Sequence, residues 1–152
     1  MDDLSVIEIA DEAAMLTFGA RLADLVRPGD VIALSGGLGA GKTTLARGML
    51  AMLGLIEEAP SPSFAIVQPY EPPLVRLPVA HVDLYRLEDA GDAEELGLDE
   101  YLEEGILIVE WPERLGDRLW PHALRLDIAT LGDDARRLTA QVPDAWKDRW
   151  LP

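Results

Sequence analysis

Short apolar runs along the chain alternate with stretches in which apolar residues recur at helical spacing, which predicts strands interleaved with helices. Val31-Ile32-Ala33-Leu34-Ser35 follows the turn Pro28-Gly29-Asp30 and reads as a buried strand. Thr44 to Leu53 carries apolar residues at helical spacing and stops at Gly54. Two further apolar runs, Val79-Ala80-His81-Val82-Asp83 and Ile106-Leu107-Ile108-Val109-Glu110, each end in a carboxylate. Upstream, Val6 to Ile9 predicts a short first strand, and Asp11 an N-cap for a helix carrying Ala14, Leu16, Phe18, Leu22, Leu25 and Val26. Ala59-Pro60-Ser61-Pro62 reads as a turn into a strand through Phe64 to Val67. Pro69-Tyr70-Glu71-Pro72-Pro73, with Pro78 soon after, reads as a surface loop between strands. The acidic segment Asp92 to Glu104, broken at Gly97, predicts one or two short helices, and another short helix runs from Trp111-Pro112 to Trp120. Leu124 to Ile128 and Leu138 to Val142 predict a hairpin around Gly132-Asp133-Asp134, with Trp146 and Trp150 capping the core.

Continuous apolar strands between helices argue for an α/β protein with a largely parallel sheet and an antiparallel edge hairpin. At 152 residues and 49% hydrophobic, the chain is expected to form a single domain over 1–152 with its own core. Charge narrows the partners. A net charge of −15, with Lys42 and Lys147 the only lysines, repels a phosphate backbone. In any nucleic-acid pathway, a partner should therefore grip the nucleic acid. The chain has no cysteine, which excludes disulfides and thiolate zinc sites. No apolar run approaches a membrane span, and Met1-Asp2-Asp3 lacks the basic region of a signal peptide. The expectation is a soluble cytoplasmic protein that does not engage a membrane.

Between the strand ending at Ser35 and the helix from Thr44 lies Gly36-Gly37-Leu38-Gly39-Ala40-Gly41-Lys42-Thr43, which fits the P-loop pattern G-x-x-x-x-G-K-[ST]. Glycines let the backbone of Gly37, Leu38, Gly39, Ala40 and Gly41 turn and present N–H groups to an anion. Lys42 is placed to reach the β- and γ-phosphates, Thr43 to ligate Mg²⁺, and the helix N-terminus to face the phosphates. Strand, glycine loop and helix together predict a nucleotide-binding, P-loop NTPase-type three-layer sandwich.

In an open parallel sheet, ligands bind beyond the carboxyl ends of the strands, where Asp83 and Glu110 both fall. A carboxylate there holds Mg²⁺ or orients the attacking water, and Glu110, after an unbroken β-branched and leucine run, is the better Walker B candidate. His81 lies two residues before Asp83 and shares its face. It is either an orienting group for that carboxylate or a water, or a satisfied core histidine. His122, after Pro121, reads as a surface residue. Ser61-Pro62-Ser63-Phe64 is either a γ-phosphate-sensing switch segment or a proline turn. A GTPase would carry Asn-Lys-x-Asp, and the chain has no asparagine. A small-molecule kinase would need lid arginines, for which Arg114 and Arg118 have same-face helical spacing. A nucleotide-dependent binding module without turnover is the third reading.

Taken with the P-loop and Thr44, the sequences Arg47-Gly48, Ser61-Pro62-Ser63-Phe64, His81-Val82-Asp83-Leu84-Tyr85-Arg86-Leu87 and Glu110-Trp111-Pro112 resemble the TsaE family over about residues 4–140. These are small bacterial ATPases of tRNA threonylcarbamoyladenosine synthesis. The resemblance implies slow ATP hydrolysis alone and action with a TsaB–TsaD complex. There TsaD transfers the threonylcarbamoyl group to tRNA and the ATPase supports turnover, so tRNA is met only through the partners. It further implies that Gly39, Gly41, Lys42, Thr43 and Thr44 hold phosphates, and that Thr43 and Glu110 bind Mg²⁺. Asp83 stands on the γ-phosphate side, and Glu12 and Arg137 lie near the ATP. Lys42, Asp83 and Glu110 are thus the catalytic candidates. Gly37 replaces the family's usual Asp, and Ser63 its usual Thr.

Overall fold

The structure is a computed structural model that describes residues 3–56, 59 and 66–150. In chain order its elements are β1 (Asp3–Ile9), α1 (Glu12–Ala23), β2 (Val31–Gly36), α2 (Lys42–Met52), β3 (Val67–Tyr70) and β4 (Val79–Asp83). After a 3₁₀ helix over Ala90–Leu96 come α3 (Leu98–Tyr101) and β5 (Ile106–Glu110). A second 3₁₀ segment, Pro112–Arg118, leads to β6 (Leu124–Thr130), β7 (Arg136–Val142) and a last 3₁₀ turn, Asp144–Trp146.

Seven strands form one sheet in the order β1-β7-β6-β2-β5-β4-β3. Its middle is parallel: β6 with β2, β2 with β5, and β5 with β4. Both flanks are antiparallel, so the sheet is mixed rather than largely parallel with one antiparallel edge. On one side β1 pairs with β7 outside the predicted β6–β7 hairpin, and on the other β3 pairs with β4. The reason is connection length. Parallel neighbours need a crossover, whereas β3 reaches β4 through the short loop 71–78 and can only return antiparallel. That arrangement also corrects the expected proline loop: Pro69 and Tyr70 belong to β3, an edge strand that tolerates a proline. Ser61 to Phe64 and the first half of the strand predicted over Phe64 to Val67 lie outside the described residues, while Val67 begins β3.

Period-2 alternation divides the core in two. Ile32, Leu34, Ile106, Ile108, Leu124, Leu126 and Ile128 point toward α1 and α2. Val31, Ala33, Leu107, Val109, Ala80 and Val82 point to the other side, under α3 and the 3₁₀ segments. Burying each leucine or isoleucine side chain is worth roughly 1.5–3 kcal/mol. β4 and β5 are buried on both faces, while β6 alternates buried and exposed and is covered on one face only.

α1 starts where Asp11 accepts the Ala14 N–H at 2.8 Å. It lies very close to α2, and paired glycines permit this: a Cβ on Gly19 would meet the Leu45 carbonyl at 2.3 Å, and one on Gly48 the Leu16 carbonyl at 2.3 Å. The C-terminal tail closes the same side. Trp146 is fully buried and Trp150 meets Phe18 edge-on at 6.4 Å, as expected of core caps. Arg149 stacks on Trp146 at 4.0 Å and grips the buried Asp30 with two hydrogen bonds of 2.6 and 2.8 Å.

Candidate functional site

The strand-to-helix turn at the centre of the sheet builds the site. β2 ends at Gly36, the chain turns through 37–41, and α2 opens at Lys42 with no side chain capping it. Gly36, Gly39 and Gly41 have φ of 143°, 75° and 114°, which side chains rarely adopt. At Gly36 a Cβ would also strike the Ile128 carbonyl at 2.5 Å. The uncapped first-turn N–H groups of α2 and the positive end of its dipole form a site for an anion.

The carboxylates arrive by register. Asp83 stands opposite Glu110 on neighbouring parallel strands, and by parity both face α2 together with Val79, His81 and Ile108. Leu34 of β2 is the partner of Glu110 on the other side. A cavity of about 220 Å³ forms here, lined by Leu38, Gly39, Ala40, Gly41, Lys42, Thr43, Thr44, Asp83, Glu110 and Trp111. The sequence therefore named every one of these residues within its motifs, and the fold brings them together.

Within the cavity, the Thr43 hydroxyl donates to the Glu110 carboxylate, 3.1 Å from Oε1 and 3.2 Å from Oε2. His81 Nε2 lies 2.6 Å from Glu110 Oε2, so among the described residues the carboxylate it meets is Glu110 rather than Asp83, which strand spacing had offered beside a water or a satisfied core role. Asp83 Oδ1 accepts the Tyr85 N–H at 2.9 Å, a turn that fixes the carboxylate at the strand end. Lys42 Nζ donates to the Gly36 and Gly37 carbonyls at 2.7 and 2.8 Å and sits 4.3 Å from the Trp111 ring centre. Burial pulls the Lys42 ammonium below its ordinary value of 10.5, while Glu110, Glu113 and Asp83 pull the other way. Trp111 holds a left-handed backbone at φ 60°, strained for a residue with a side chain, and packs against Tyr85 with ring centres 4.9 Å apart and the planes tilted by 49°.

Hard oxygen donors of this kind suit Mg²⁺. Among the described residues, no three His, Cys, Asp or Glu side chains converge to hold a metal ion. One carboxylate and one hydroxyl fit an ion that takes most of its ligands from phosphates and water, and not one that needs an all-protein cage.

A second cavity, about 230 Å³, continues behind the loop between α1 and the β6–β7 hairpin, lined by Asp11, Glu12, Met15, Gly39, Ala40, Gly41, Thr44, Asp134 and Arg136. Glu12 is therefore next to the loop. Arg137 is not brought there; it points to the other face of β7 and reaches Glu8 at 3.3 Å. Its neighbour Arg136 holds the loop instead, through the Ala40 carbonyl at 2.9 Å and the Gly39 carbonyl at 3.4 Å. Alternation could have found it: Leu138, Ala140 and Val142 face the core, so Arg136 shares their face. Arg114 and Arg118 do not form the expected one-faced pair, because Gly116 breaks the 3₁₀ segment between them. Arg114 lies 5.9 Å from the Tyr85 ring, and Arg118 pairs with Glu94. His122, half-buried, bonds the Gly29 carbonyl at 2.8 Å, far from the site. A further cavity, about 680 Å³, lies on the opposite face of the sheet along Ser35, Arg125, Asp127, Thr139 and Gln141.

The chain is similar to known proteins in sequence and fold. A family model described as threonylcarbamoyl adenosine biosynthesis protein TsaE matches residues 9–138. The tRNA threonylcarbamoyladenosine biosynthesis protein TsaE of Bacillus subtilis is 42% identical over 118 residues, covering 77% of this chain and 72% of that one. The protein of the same name from Streptomyces coelicolor is 40% identical over 138 residues, 90% of this chain and 93% of that one. Among solved structures, the crystal structure of Bacillus subtilis YdiB superposes with a TM-score of 0.81 at 30% identity, over 97% of this chain and 91% of that one.

Proposed function

The chain belongs to the TsaE family, and on that premise we propose that it is a Mg²⁺-dependent P-loop ATPase of tRNA threonylcarbamoyladenosine synthesis. The observation that carries the reading is the convergence of Lys42, Thr43, Asp83 and Glu110 on one cavity at the uncapped N-terminus of α2. The loop backbone from Gly37 to Gly41 and the first turn of α2 take the phosphates, with Lys42 as their cation and Thr44 at the loop's far side. Thr43 and Glu110 are the oxygen donors for Mg²⁺, which neutralises phosphate charge when bound. Asp83, fixed by Tyr85, orients the attacking water. The second cavity, with Glu12 and Arg136, receives the nucleoside.

The chain acts with a TsaB–TsaD pair in the cytoplasm, and the partners hold the tRNA, which suits a net charge of −15. Among the described residues no helix is long and apolar enough to cross a membrane. The kinase alternative loses its main support, since its two arginines separate.

The test is steady-state Mg²⁺-ATP hydrolysis by the chain alone and with the TsaB–TsaD complex, with Lys42→Ala as control. Strong stimulation by the complex, absent in the variant, is the expected result. Normal hydrolysis by Lys42→Ala would defeat the P-loop assignment. Tight ATP-dependent complex formation without hydrolysis would reduce the protein to a binding module.

A further inference from the structure

His81 is fully buried on β4, and its ring has two nitrogens to satisfy. Nε2 lies 2.6 Å from Glu110 Oε2, while Nδ1 is buried without a hydrogen-bond partner. A histidine kept only to fill the core is a poor choice here. It leaves one ring nitrogen desolvated and unpaired, a cost that an apolar residue of similar size avoids. Among the described residues, the ring's one hydrogen-bond partner is the carboxylate bonded to Thr43.

Geometry explains why this position serves. His81 pairs in register with Ile108, so Glu110 is its diagonal neighbour two residues on, within reach of a long side chain on the same face. The tautomer with its proton on Nε2 donates to Oε2 and leaves no buried N–H without an acceptor. A carboxylate at a strand end otherwise turns about its side-chain torsions. With Oε2 held by His81 from the β4 side and both oxygens within reach of the Thr43 hydroxyl, the carboxylate is held in one orientation in the cavity wall.

We infer that His81 is a positioning residue: its Nε2–H locks the Glu110 carboxylate in the orientation that, with Thr43, receives Mg²⁺ and so sets the metal dependence of nucleotide binding. This rests on the reading of Glu110 as a metal donor. Outer partners of metal-binding carboxylates typically change metal affinity by about 10- to 100-fold when removed.

The test is binding of a fluorescent ATP analogue to the full chain, titrated with Mg²⁺, for wild type, His81→Phe and His81→Gln. His81→Phe should raise the Mg²⁺ midpoint about tenfold or more while metal-free affinity stays within about twofold. His81→Gln, which restores an N–H at similar reach, should return the midpoint to within about threefold of wild type. Lowered thermal stability in both variants with unchanged Mg²⁺ midpoints would make His81 a structural residue and overturn the inference. A wild-type curve that does not respond to Mg²⁺ would overturn the metal reading of Glu110 as well, which separates the two failures. Should neither variant fold, long-range ¹H–¹⁵N spectra of the wild type decide. The chain has two histidines, and a proton on Nδ1 of His81, or no response of its ring to Mg²⁺ and nucleotide, would overturn the inference.

Discussion

Two buried carboxylates flank the central strand β2, and they are treated in opposite ways. Asp30, just before the strand, is 4% exposed and fully engaged: Arg149 holds both oxygens, and the Arg27 N–H adds a third bond at 2.7 Å. Arg149 is itself stacked on Trp146 and donates to the Leu25 carbonyl at 2.8 Å. Glu110, beside the far end of the strand, is 3% exposed. Among the described residues its side chain bonds a hydroxyl and an imidazole, while Lys42 directs its ammonium to two backbone carbonyls. The first cluster is closed by a matched cation. The second faces a cavity and has no matched cation of its own among the described residues, which suits the metal-binding role proposed for it. Burial alone therefore does not separate a structural acid from a functional one; the completeness of its partners does.

Exchanging the two clusters' effects tests this contrast. Lys42→Ala should cut ATP turnover by about 10³-fold or more, equivalent to about 4 kcal/mol of transition-state stabilisation, while urea unfolding shows a stability change within about 1 kcal/mol. Arg149→Met should do the reverse. Leaving Asp30 buried without its cation costs about 3–5 kcal/mol of stability, read by urea unfolding, whereas nucleotide affinity of the folded fraction stays within about twofold. If Arg149→Met lost turnover at unchanged stability, the two regions would not be independent and the comparison would fail.

Arg136 and Arg137 sharpen the contrast on one strand. Arg136 tethers the glycine loop through Ala40, so Arg136→Ala should weaken ATP binding about fivefold, roughly 1 kcal/mol, in an equilibrium titration. Arg137 is half-exposed and paired with Glu8 on the far face, so Arg137→Ala should leave the dissociation constant within about twofold. The reverse ranking would restore Arg137 to the nucleotide.

These residues also show what was legible before the fold was known. The bounds of β4 and β5 could be read directly, because strands buried on both faces appear as apolar runs that stop at a charge, unbroken in β5 and interrupted only by His81 in β4. The loop and both carboxylates followed, since motif spacing and strand ends are local properties. Asp30–Arg149 was invisible: 119 residues separate the partners, and nothing local marks Arg149 as buried. The placement of β1 beyond β7 was missed for the same reason, since more than 120 residues separate the paired strands, whereas β3 beside β4 was missed because its proline-rich stretch read as a loop. Arg136 was a different failure. Its face could be inferred from the alternation of β7, but pattern matching favoured the adjacent arginine.

The smallest expected effect concerns Lys42 and pH. Burial holds its ammonium below the 10.5 of an exposed lysine, and the nearby Glu110, Glu113 and Asp83 offset only part of that shift. Below the lowered value both the folded and unfolded chains are protonated, and the cost of burying the charge is carried in full. Between that value and 10.5 the unfolded chain binds more protons, so the folded state gains stability as pH rises. Urea unfolding of wild type and Lys42→Met across this alkaline window should therefore show the difference moving in favour of wild type with rising pH. A flat difference would mean that the carbonyls of Gly36 and Gly37, the Trp111 face and the carboxylates fully replace water around the ammonium. The site would then be as well compensated as Asp30–Arg149, and the distinction between the two clusters would rest on geometry alone.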